Sequence, residues 1–192
     1  FRSDIPIVVI KYFGLFKPQE LAEPDFDSFR SQFYRSLIPI PLIRDAVANI
    51  LTQQFANHEV IGVHIRRTDL GQILKASPQE VSPTTAFIEA MEKVLAGNPK
   101  AKFFLATDDL NEEQMFKAHF LDKLIVFGKS EVNRDTTRGI QEALIDWLLL
   151  SKTSMIIRSH RSSFSAESAV VNQIPILTIG NDESVALYTK QN

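Results

Sequence analysis

Apolar residues recur along the chain with two alternating periods from residue 59 onward. Runs rich in β-branched and aromatic residues predict five strands, at 60–65, 102–106, 124–127, 155–157 and 174–179. Between these runs, apolar residues recur at i, i+3, i+4 and i+7, which predicts helices over 83–97, 111–120 and 140–148. The segment "SFSAESA" predicts a further helix of small residues. Strands and helices therefore alternate through most of the chain.

This alternation predicts an α/β fold with a mostly parallel sheet covered by helices. The strands are apolar on both faces and the connections are short, as in sheets whose crossovers are right-handed. In open sheets of this kind, ligands bind beyond the carboxyl ends of the strands, where the loops converge. The residues that follow each strand are therefore the candidates for a functional site.

The first 58 residues follow a less regular pattern. Residues 5–10 are a candidate strand, 16–29 are predicted as a Pro-punctuated acidic loop, and 29–37 are predicted helical. An amphipathic pattern over 43–51 predicts a helix that leads into the first strand. We divide the chain into an N-terminal helical or partial region, 1–58, and an α/β domain, 59–192. Because the chain opens at Phe1, we expect a fragment of a longer protein, with exposed apolar surface in the N-terminal region.

Composition narrows the possible functions. The chain has 192 residues, 44% hydrophobic and 23% charged, with a formal net charge of −2, as in an ordinary globular domain. Its charges are interspersed, so no polybasic surface for nucleic acid is predicted, and no apolar run reaches the ~20 residues of a transmembrane helix. The absence of cysteine excludes disulfides, thiolate nucleophiles and cysteine-based zinc sites. The cellular compartment stays open between cytoplasm and secretory pathway.

Polar clusters follow three of the predicted strands: "HIRRTD" at 64–69, "ATDD" at 106–109 and "RSHRSSFS" at 158–165. Side chains alternate along a strand, so His64 and Arg66 share one side while Arg67 takes the other. A guanidinium is a permanently charged fork of donors that suits phosphate, so Arg66 is the candidate anion-binding residue. The alternative is that the arginines form structural salt bridges with carboxylates such as Asp69 or Asp108.

The serine cluster offers a second group of anion-binding donors. Ser162, Ser163 and Ser165 lie at the start of a predicted helix, whose first amides and positive dipole end face the same sheet edge. The alternative is ordinary helix capping by one of these hydroxyls. The two roles are compatible, so both stay open.

Asp146 stands out because it interrupts an apolar helix, "ALIDWLLL". A buried unpaired charge costs on the order of several kcal/mol, so this carboxylate needs a partner. The structural candidates are Arg138 or a backbone amide, and the functional one is a ligand with adjacent N–H groups, such as guanine. Asp108 and Asp109 follow the pattern of a strand end and a helix N-cap, with Asp108 also a candidate for the cleft. No third oxygen cluster accompanies them, so no metal site is predicted.

Several nucleotide and hydrolase motifs are absent from the sequence. The "GKS" at 128–130 has Lys123 where a P-loop needs its first glycine, and there is no G-x-G-x-x-G. The serines have no G-x-S-x-G elbow, and the four histidines have no HExxH spacing. The sequence therefore predicts neither a P-loop ATPase, nor a dinucleotide enzyme, nor a zinc hydrolase.

The order of these clusters resembles the α1,6-fucosyltransferases. "HIRRTD" resembles their first peptide motif, and "FFLATDD" resembles the strand end that follows. The segment "RGIQEALIDWLLLSKTSMIIRSHRSSFS" resembles the later part of these enzymes, which carries an aspartate helix and a serine loop. The relatives are the core N-glycan and rhizobial nodulation enzymes and, more distantly, protein O-fucosyltransferases. The resemblance spans residues 60–179.

The resemblance implies a Rossmann-like, GDP-fucose-binding half of a GT-B-like glycosyltransferase that needs no metal or other cofactor. His64 and Asp146 would engage guanine, and Arg66 would hold the diphosphate as the main catalytic group. The further nucleotide-binding candidates are Arg67, Asp108, Arg138, Ser162 and Ser163. The implied partners are a GDP-sugar and a glycan or protein acceptor.

Two features of the sequence depart from that family. Its enzymes follow their motif with a lysine and then a glutamate that serves as the base, where this chain has Leu70 and Leu74. Asp69 and Glu80 are candidate replacements. The chain has room for one full domain, whereas GT-B enzymes bind the acceptor between two, so we expect a missing or partner-supplied acceptor domain. Two alternatives stay open: a nucleotide-binding module without transferase activity, and a structural Rossmann-like domain.

Overall fold

Six strands form one sheet in the part of the chain that the structure describes. The structure is a computed structural model, and it describes residues 22–67, 82–131, 133, 135–180 and 186–188. The strands are β1 (Val60–Ile65), β2 (Lys102–Thr107), β3 (Leu124–Val126), β4 (Ile156–Ser159), β5 (Ile176–Ile179) and β6 (Ala186–Tyr188). Their order is β3-β2-β1-β4-β5-β6, in which the first five are parallel and β6 is antiparallel to β5.

Helices cover both faces of the sheet. They are α1 (Glu23–Ser36), α2 (Pro41–Ile50), α3 (Thr84–Gly97), α4 (Leu110–Phe120), α5 (Thr137–Leu150) and α6 (Ser163–Asn172). One apolar cluster joins α3 and α4 to the sheet, and a second joins α2, α5 and α6 to it. A π-helical turn, Leu51–Phe55, extends α2, and a 3-10 turn, Leu121–Lys123, follows α4.

Alternation along β1 decides which polar side chains face which helices. Val63 and Ile65 belong to the cluster with α3 and α4, whereas Val60 belongs to the cluster with α2 and α5. Because successive side chains of a strand point to opposite faces, His64 lies on the α5 face of the sheet. His64 therefore lies on the opposite face of the sheet from Val63 and Ile65.

The order of the sheet reverses at β1, which has β2 on one side and β4 on the other. Ile65 pairs with Thr107 of β2, and His64 pairs with Arg158 of β4. Crossovers that leave such a strand in opposite directions open a crevice beyond the carboxyl ends, where α/β proteins of this type bind ligands. The polar clusters that follow β1, β2 and β4 therefore meet at this crevice.

The predicted fold class is confirmed, and so are the five predicted strands, whose ends differ by no more than two residues from the observed ones. The edge strand β6 was not predicted. The predicted loop over 16–29 is wrong from Glu23 onward, because α1 begins there. Pro24 occupies one of the first two helical positions, where its missing N–H costs no hydrogen bond, and the acidic residues around it favour a helix start.

Some predictions fall on residues that the structure does not describe. These are the candidate strand at 5–10, the end of the first motif at Thr68 and Asp69, the departures at Leu70 and Leu74, and the candidate base Glu80. The division of the chain at 58/59 stays a prediction; α2, which precedes that boundary, packs in the same apolar cluster as β1.

Large apolar side chains are exposed in the N-terminal region, as the sequence led us to expect. The most exposed ones on and after α1 are Phe29 (62%), Phe33 (52%), Leu37 (53%), Ile38 (87%), Ile40 (50%) and Leu42 (63%). None of the helices that the structure describes is long and apolar enough to cross a membrane.

Candidate functional site

The carboxyl ends of β1, β2 and β4 are joined by hydrogen bonds of the β1 backbone. The amide of Arg66 donates to the hydroxyl of Ser159 at 3.1 Å, which ties the end of β1 to the end of β4. The next amide, of Arg67, donates to the carboxylate of Asp108 at 2.7 Å, which ties it to the end of β2. The three polar clusters that the sequence predicted at strand ends are thus brought to one edge of the sheet.

A cavity lies at this edge, on the α5 face. Its polar and aromatic lining includes His64, Thr107, Asp108, Lys129, Asp146 and Phe164. Its volume is about 50 Å³, and one water needs about 10–15 Å³ of such space. The cavity therefore has room for the polar edge of a ring or for a few waters, and the rest of a larger ligand would lie over the strand ends.

His64 forms one wall of the cavity and is held by the serine turn between β4 and α6. Its Nδ1 lies 3.1 Å from the hydroxyls of both Ser162 and Ser165, and its ring lies 5.0 Å from that of Phe164, at 30°. The ring is buried, at 6% exposure. With Nδ1 committed to two hydroxyls, the orientation of the imidazole is fixed by the turn.

The serine turn is positioned by β4 rather than by side-chain capping. Ser162 occupies the N-cap position of α6, yet its hydroxyl makes no cap hydrogen bond and contacts His64 instead. Its carbonyl accepts from Arg158 of β4 at 2.7 Å. Capping, which the sequence left open, is therefore wrong for Ser162. Ser163, the first residue of α6, is exposed.

Asp146 is buried on the cavity wall and pairs with Lys129, from the loop after β3. The ammonium donates to Asp146 Oδ2 at 2.7 Å and to the carbonyl of Thr107 at 2.5 Å. The two side chains are 8% and 5% exposed, respectively. The partner suggested by the sequence, Arg138, is wrong, because the Arg138 side chain is exposed and donates to Glu142 instead.

One acceptor of Asp146 is left without a partner. Among the residues that the structure describes, Asp146 Oδ1 is buried and has no hydrogen-bond donor. Burial raises the pKa of Asp146 to about 6, although the nearby charge of Lys129 acts against this shift. An unpaired buried acceptor is costly, so Asp146 Oδ1 in the cavity wall is a site for a donor, supplied by water or by a ligand N–H.

Glu142, one helical turn before Asp146, holds the loop that carries Lys129. Its two carboxylate oxygens accept from the amides of Ser130 and Glu131 and from the Ser130 hydroxyl, at 2.7–3.0 Å. Burial alone would raise the pKa of Glu142, but these hydrogen bonds and one from Arg138 hold it below its ordinary value. Two successive turns of α5 thus bind the loop.

Arg67 faces away from the cavity into a separate cluster. Its guanidinium donates to Glu112 at 2.7 Å, to the carbonyl of Ser82 at 2.7 Å and to Thr84 at 2.9 Å. The salt-bridge alternative that the sequence left open therefore holds for Arg67, with Glu112 as its carboxylate. Asp109 caps α4 by accepting from two amides, so the predicted N-cap is confirmed.

The structure brings some of the predicted site residues together and separates others. His64, Asp108 and Asp146 line the cavity, and Ser162 supports it through His64. Of the predicted residues that the structure describes, Arg66, Arg67, Arg138, Ser162 and Ser163 do not line it. No group of three metal-ligating side chains occurs in the described part of the chain. The roles given to these residues in nucleotide binding stay predictions.

Four residues of the site were not chosen from the sequence: Lys129, Glu142, Arg158 and Phe164. Lys129 follows a predicted strand, and that position is the signal that could have identified it as a site residue. In the sequence its segment matches only an incomplete P-loop. Glu142 and Asp146 are four residues apart and so share a helix face, which was a second signal. Nothing in the sequence joins Lys129 to Asp146, since that contact depends on the packing of the β3 loop against α5.

The parallel sheet with helices on both faces is a Rossmann-like α/β fold, which is also found in one half of GT-B-type glycosyltransferases. Solved fucosyltransferases have this fold. NodZ α-1,6-fucosyltransferase soaked with GDP-fucose superposes with a TM-score of 0.63 at 22% identity, over 86% of this chain and 54% of that one. NodZ from Bradyrhizobium superposes with a TM-score of 0.61 at 21% identity, over 82% of this chain and 51% of that one. POFUT1 in complex with GDP superposes with a TM-score of 0.57 at 11% identity, over 80% of this chain and 50% of that one.

The resemblance read from the sequence is confirmed at the level of the fold. The chain spans about half the length of these structures. No protein-family model and no curated protein sequence matches it.

Proposed function

We propose that this chain is the donor-binding half of a fucosyltransferase that transfers fucose from GDP-fucose to a glycan or protein acceptor. The observation that carries the proposal is the buried carboxylate of Asp146, which lines a cavity at the strand ends with one oxygen unpaired. A nucleobase N–H is a group that would satisfy it. Support comes from the fold, which is shared with proteins solved with GDP or GDP-fucose.

In the proposed reaction, an acceptor oxygen attacks C1 of fucose from the side opposite the diphosphate. The new C1–O bond forms as the bond to the diphosphate breaks, and its electron pair leaves with GDP, so the sugar is inverted. Negative charge grows on the leaving diphosphate, and fixed donors that face it lower the barrier. The proposed donors are the Arg66 guanidinium and the first amides of α6, since the Arg66 amide is bonded to Ser159 at the foot of the serine turn.

The acceptor side of the reaction is proposed to lie largely outside the described residues. The proton of the acceptor needs a base, and the two candidates in this chain, Asp69 and Glu80, both fall there. We propose that the acceptor domain is supplied by other parts of the protein or by a partner. The exposed apolar side chains on and after α1 are a surface that such a domain would cover. The proposed reaction uses no metal or cofactor, so it should continue in EDTA.

The first test is the change Arg66→Ala. Removal of one donor to a developing negative charge typically costs about 2.7–4 kcal/mol, which is roughly a hundredfold or more in turnover. We expect a loss of that size in GDP-fucose turnover, measured as GDP release with and without a panel of sugar acceptors. GDP affinity should also fall.

Arg44→Ala is the matched control, because Arg44 is 60% exposed and pairs only with its neighbour Asp45 among the described residues. It should leave turnover unchanged. If Arg66→Ala turns over GDP-fucose like the unmodified protein, Arg66 has a structural role and the proposed stabilisation is wrong.

A second candidate function is a nucleotide-binding module without transferase activity. Leu70 and Leu74 favour it, because they stand where the resembling family has its lysine and its base. It predicts GDP binding by calorimetry together with no release of fucose to water or to any acceptor. Fucose transfer by the unmodified chain would exclude it.

A further inference from the structure

Lys129 is charged and lines the cavity, but the proposed function assigns it no role. It lies in the loop after β3, and its side chain is 8% exposed. The backbone of this loop is held by α5, because the amides of Ser130 and Glu131 both donate to Glu142 at 3.0 Å. These hydrogen bonds between the loop backbone and α5 therefore hold the Lys129 ammonium in the cavity.

The hydrogen-bonding capacity of the Lys129–Asp146 pair is only partly used. An ammonium has three N–H donors, and two of them bond to Thr107 and Asp146. The carboxylate of Asp146 has two oxygens, of which Oδ1 has no donor among the described residues. The pair therefore offers a ligand one N–H donor beside one carboxylate acceptor, both on residues that line the cavity.

We propose that Lys129 and Asp146 together select a nucleobase with a lactam edge, in which Lys129 donates to the ring carbonyl and Asp146 Oδ1 accepts from the adjacent ring N–H. This inference rests on the proposed function and deepens it by assigning a base-selecting role to Lys129. Guanine has that edge in its O6 and N1–H. Lys129 is thus a specificity-determining residue rather than a structural counterion.

The same pair would reject adenine. The corresponding edge of adenine has an amine donor and a ring acceptor, which is the reverse pattern. The amine of adenine would face the Lys129 ammonium, donor against donor, and its ring nitrogen would face Asp146 Oδ1, acceptor against acceptor. A site whose buried polar groups are left unpaired by an analogue discriminates strongly against it. In this arrangement Asp146 Oδ2 is held toward Lys129, on the carbonyl side of the base, so the exocyclic amine of guanine, on the other side of the ring N–H, contributes little to the selection.

Calorimetric titration of the unmodified chain with GDP, IDP and ADP tests the proposal without a mutation. IDP has the lactam edge but lacks the exocyclic amine. We expect GDP and IDP to bind within about fivefold of each other and ADP to bind at least about tenfold more weakly. If IDP binds as weakly as ADP, the carboxylate reads the two N–H groups of guanine and the proposal is overturned.

The change Lys129→Met removes the ammonium while keeping much of its length. We expect the affinities for GDP and IDP to fall at least about tenfold, with a much smaller change for ADP, so that the preference for GDP over ADP decreases. Tighter GDP binding by this variant would mean that Lys129 blocks the cavity, and unchanged binding would mean that it only neutralises Asp146. Either result overturns the proposal.

Lys117→Met is the matched control, because Lys117 also pairs with a mostly buried carboxylate, that of Glu113, but outside the cavity. It should leave all three affinities unchanged. Thermal unfolding of each variant identifies a loss of folding, and in that case the three-nucleotide comparison on the unmodified chain decides. If the unmodified chain binds no GDP, the proposed function fails together with this inference; if GDP binds but the preference for lactam bases is absent, only the role of Lys129 fails.

Discussion

At the scale of single residues, the protonation of Asp146 depends strongly on its surroundings. Burial raises its pKa from 3.8 to about 6, the ammonium of Lys129 acts against that shift, and the charges of Glu113 and Glu142 add to it. Only the ionised carboxylate can accept from a ligand N–H at Oδ1 while it also accepts from Lys129. Binding of the proposed nucleotide and protonation of Asp146 are therefore linked.

We expect GDP affinity to fall as the pH is lowered through about 6 and to be constant above about pH 7, since the pKa of Asp146 is about 6. Titration calorimetry between pH 5 and pH 8 measures the effect. In Asp146→Asn the affinity should be weaker at neutral pH and should lack this inflection. An equal pH dependence in both proteins would assign the titration to another group.

The stability of the fold should change with pH in the opposite direction. Between pH 3.8 and about 6, the folded chain keeps a proton on Asp146 that the unfolded chain has released. The contribution of this group to the free energy of unfolding therefore decreases as the pH rises through that interval. Weaker binding at pH 5.5 cannot then be explained by loss of the fold through Asp146.

Residue patterns in the sequence predicted a buried Asp146 in need of a partner but not the partner itself. The need follows from one carboxylate among apolar neighbours on a helix, which is local information. Its partner lies 17 residues away on a different element, whereas the cation suggested by the sequence was Arg138, on the same helix. The pairing is settled by packing alone.

At the scale of elements, α5 acts as a support for the loop after β3. Arg138, Glu142 and Asp146 follow one another at intervals of four residues, so they lie on one side of the helix. Glu142 binds the loop backbone and Asp146 binds its lysine. The geometry of the cavity thus depends on the register of α5 against this loop.

Glu142→Gln tests that dependence. A neutral amide has one acceptor oxygen, so hydrogen bonds to Ser130 or Glu131 are lost, at about 1.5–3 kcal/mol for a charged bond. We expect a lower free energy of unfolding in urea and weaker GDP binding, because the loop that carries Lys129 is released. Glu92→Gln, which changes an exposed carboxylate paired with His119, should affect neither quantity. Unchanged GDP affinity in Glu142→Gln would show that the loop keeps its position without this contact.

Gly139, near the start of α5, is required by a close approach of the preceding loop. A Cβ at this position would lie 1.7 Å from the carbonyl oxygen of Asn133, so the backbone must shift. We expect Gly139→Ala to cost roughly 1–3 kcal/mol in urea unfolding, as overpacking typically does. At Gly97, the last residue of α3, an added Cβ meets open space, so Gly97→Ala should be neutral or stabilise by up to about 1 kcal/mol. Equal effects of the two changes would contradict the close contact at Gly139.

The sequence predicted most elements because their apolar residues form continuous runs or recur at helical spacing. The five parallel strands and the helices between them show these patterns. The strand β6 is three residues long, like β3, but its sequence ALY lacks the β-branched run of Leu124–Val126, so it gives no comparable signal. The start of α1 differs from the prediction because proline, which is common in loops, is also common in the first turn of a helix.

At the scale of the whole molecule, the α/β class and the location of the site followed from the alternation of strands and helices. Parallel strands with short crossovers leave few topologies, and ligands bind at their carboxyl ends in all of them. The proposed acceptor domain did not follow from this alternation, and the chain covers about half of the structures that share its fold.

GDP should stabilise the whole chain against heat if it binds at the site. At a hundredfold excess over its Kd, a ligand adds about 2.7 kcal/mol, which corresponds to a rise in Tm of about 5–10 °C for a chain of this size. Thermal unfolding with GDP, and with ADP as the control nucleotide, measures the difference. Equal rises with GDP and ADP would indicate phosphate binding without base recognition. No rise with either would favour the structural Rossmann-like domain.

The contact between α1 and α6 has a consequence for the movement of the site. Glu167 of α6 accepts from Arg30 and from the Tyr34 hydroxyl, and the carbonyl of Val171 accepts from Ser31, so α1 is fastened to α6 at several points. The N-terminus of α6 lies at the serine turn that orients His64. A molecule bound to the exposed side of α1 would thereby restrict movement of α6, and with it movement of the turn that holds the imidazole of His64.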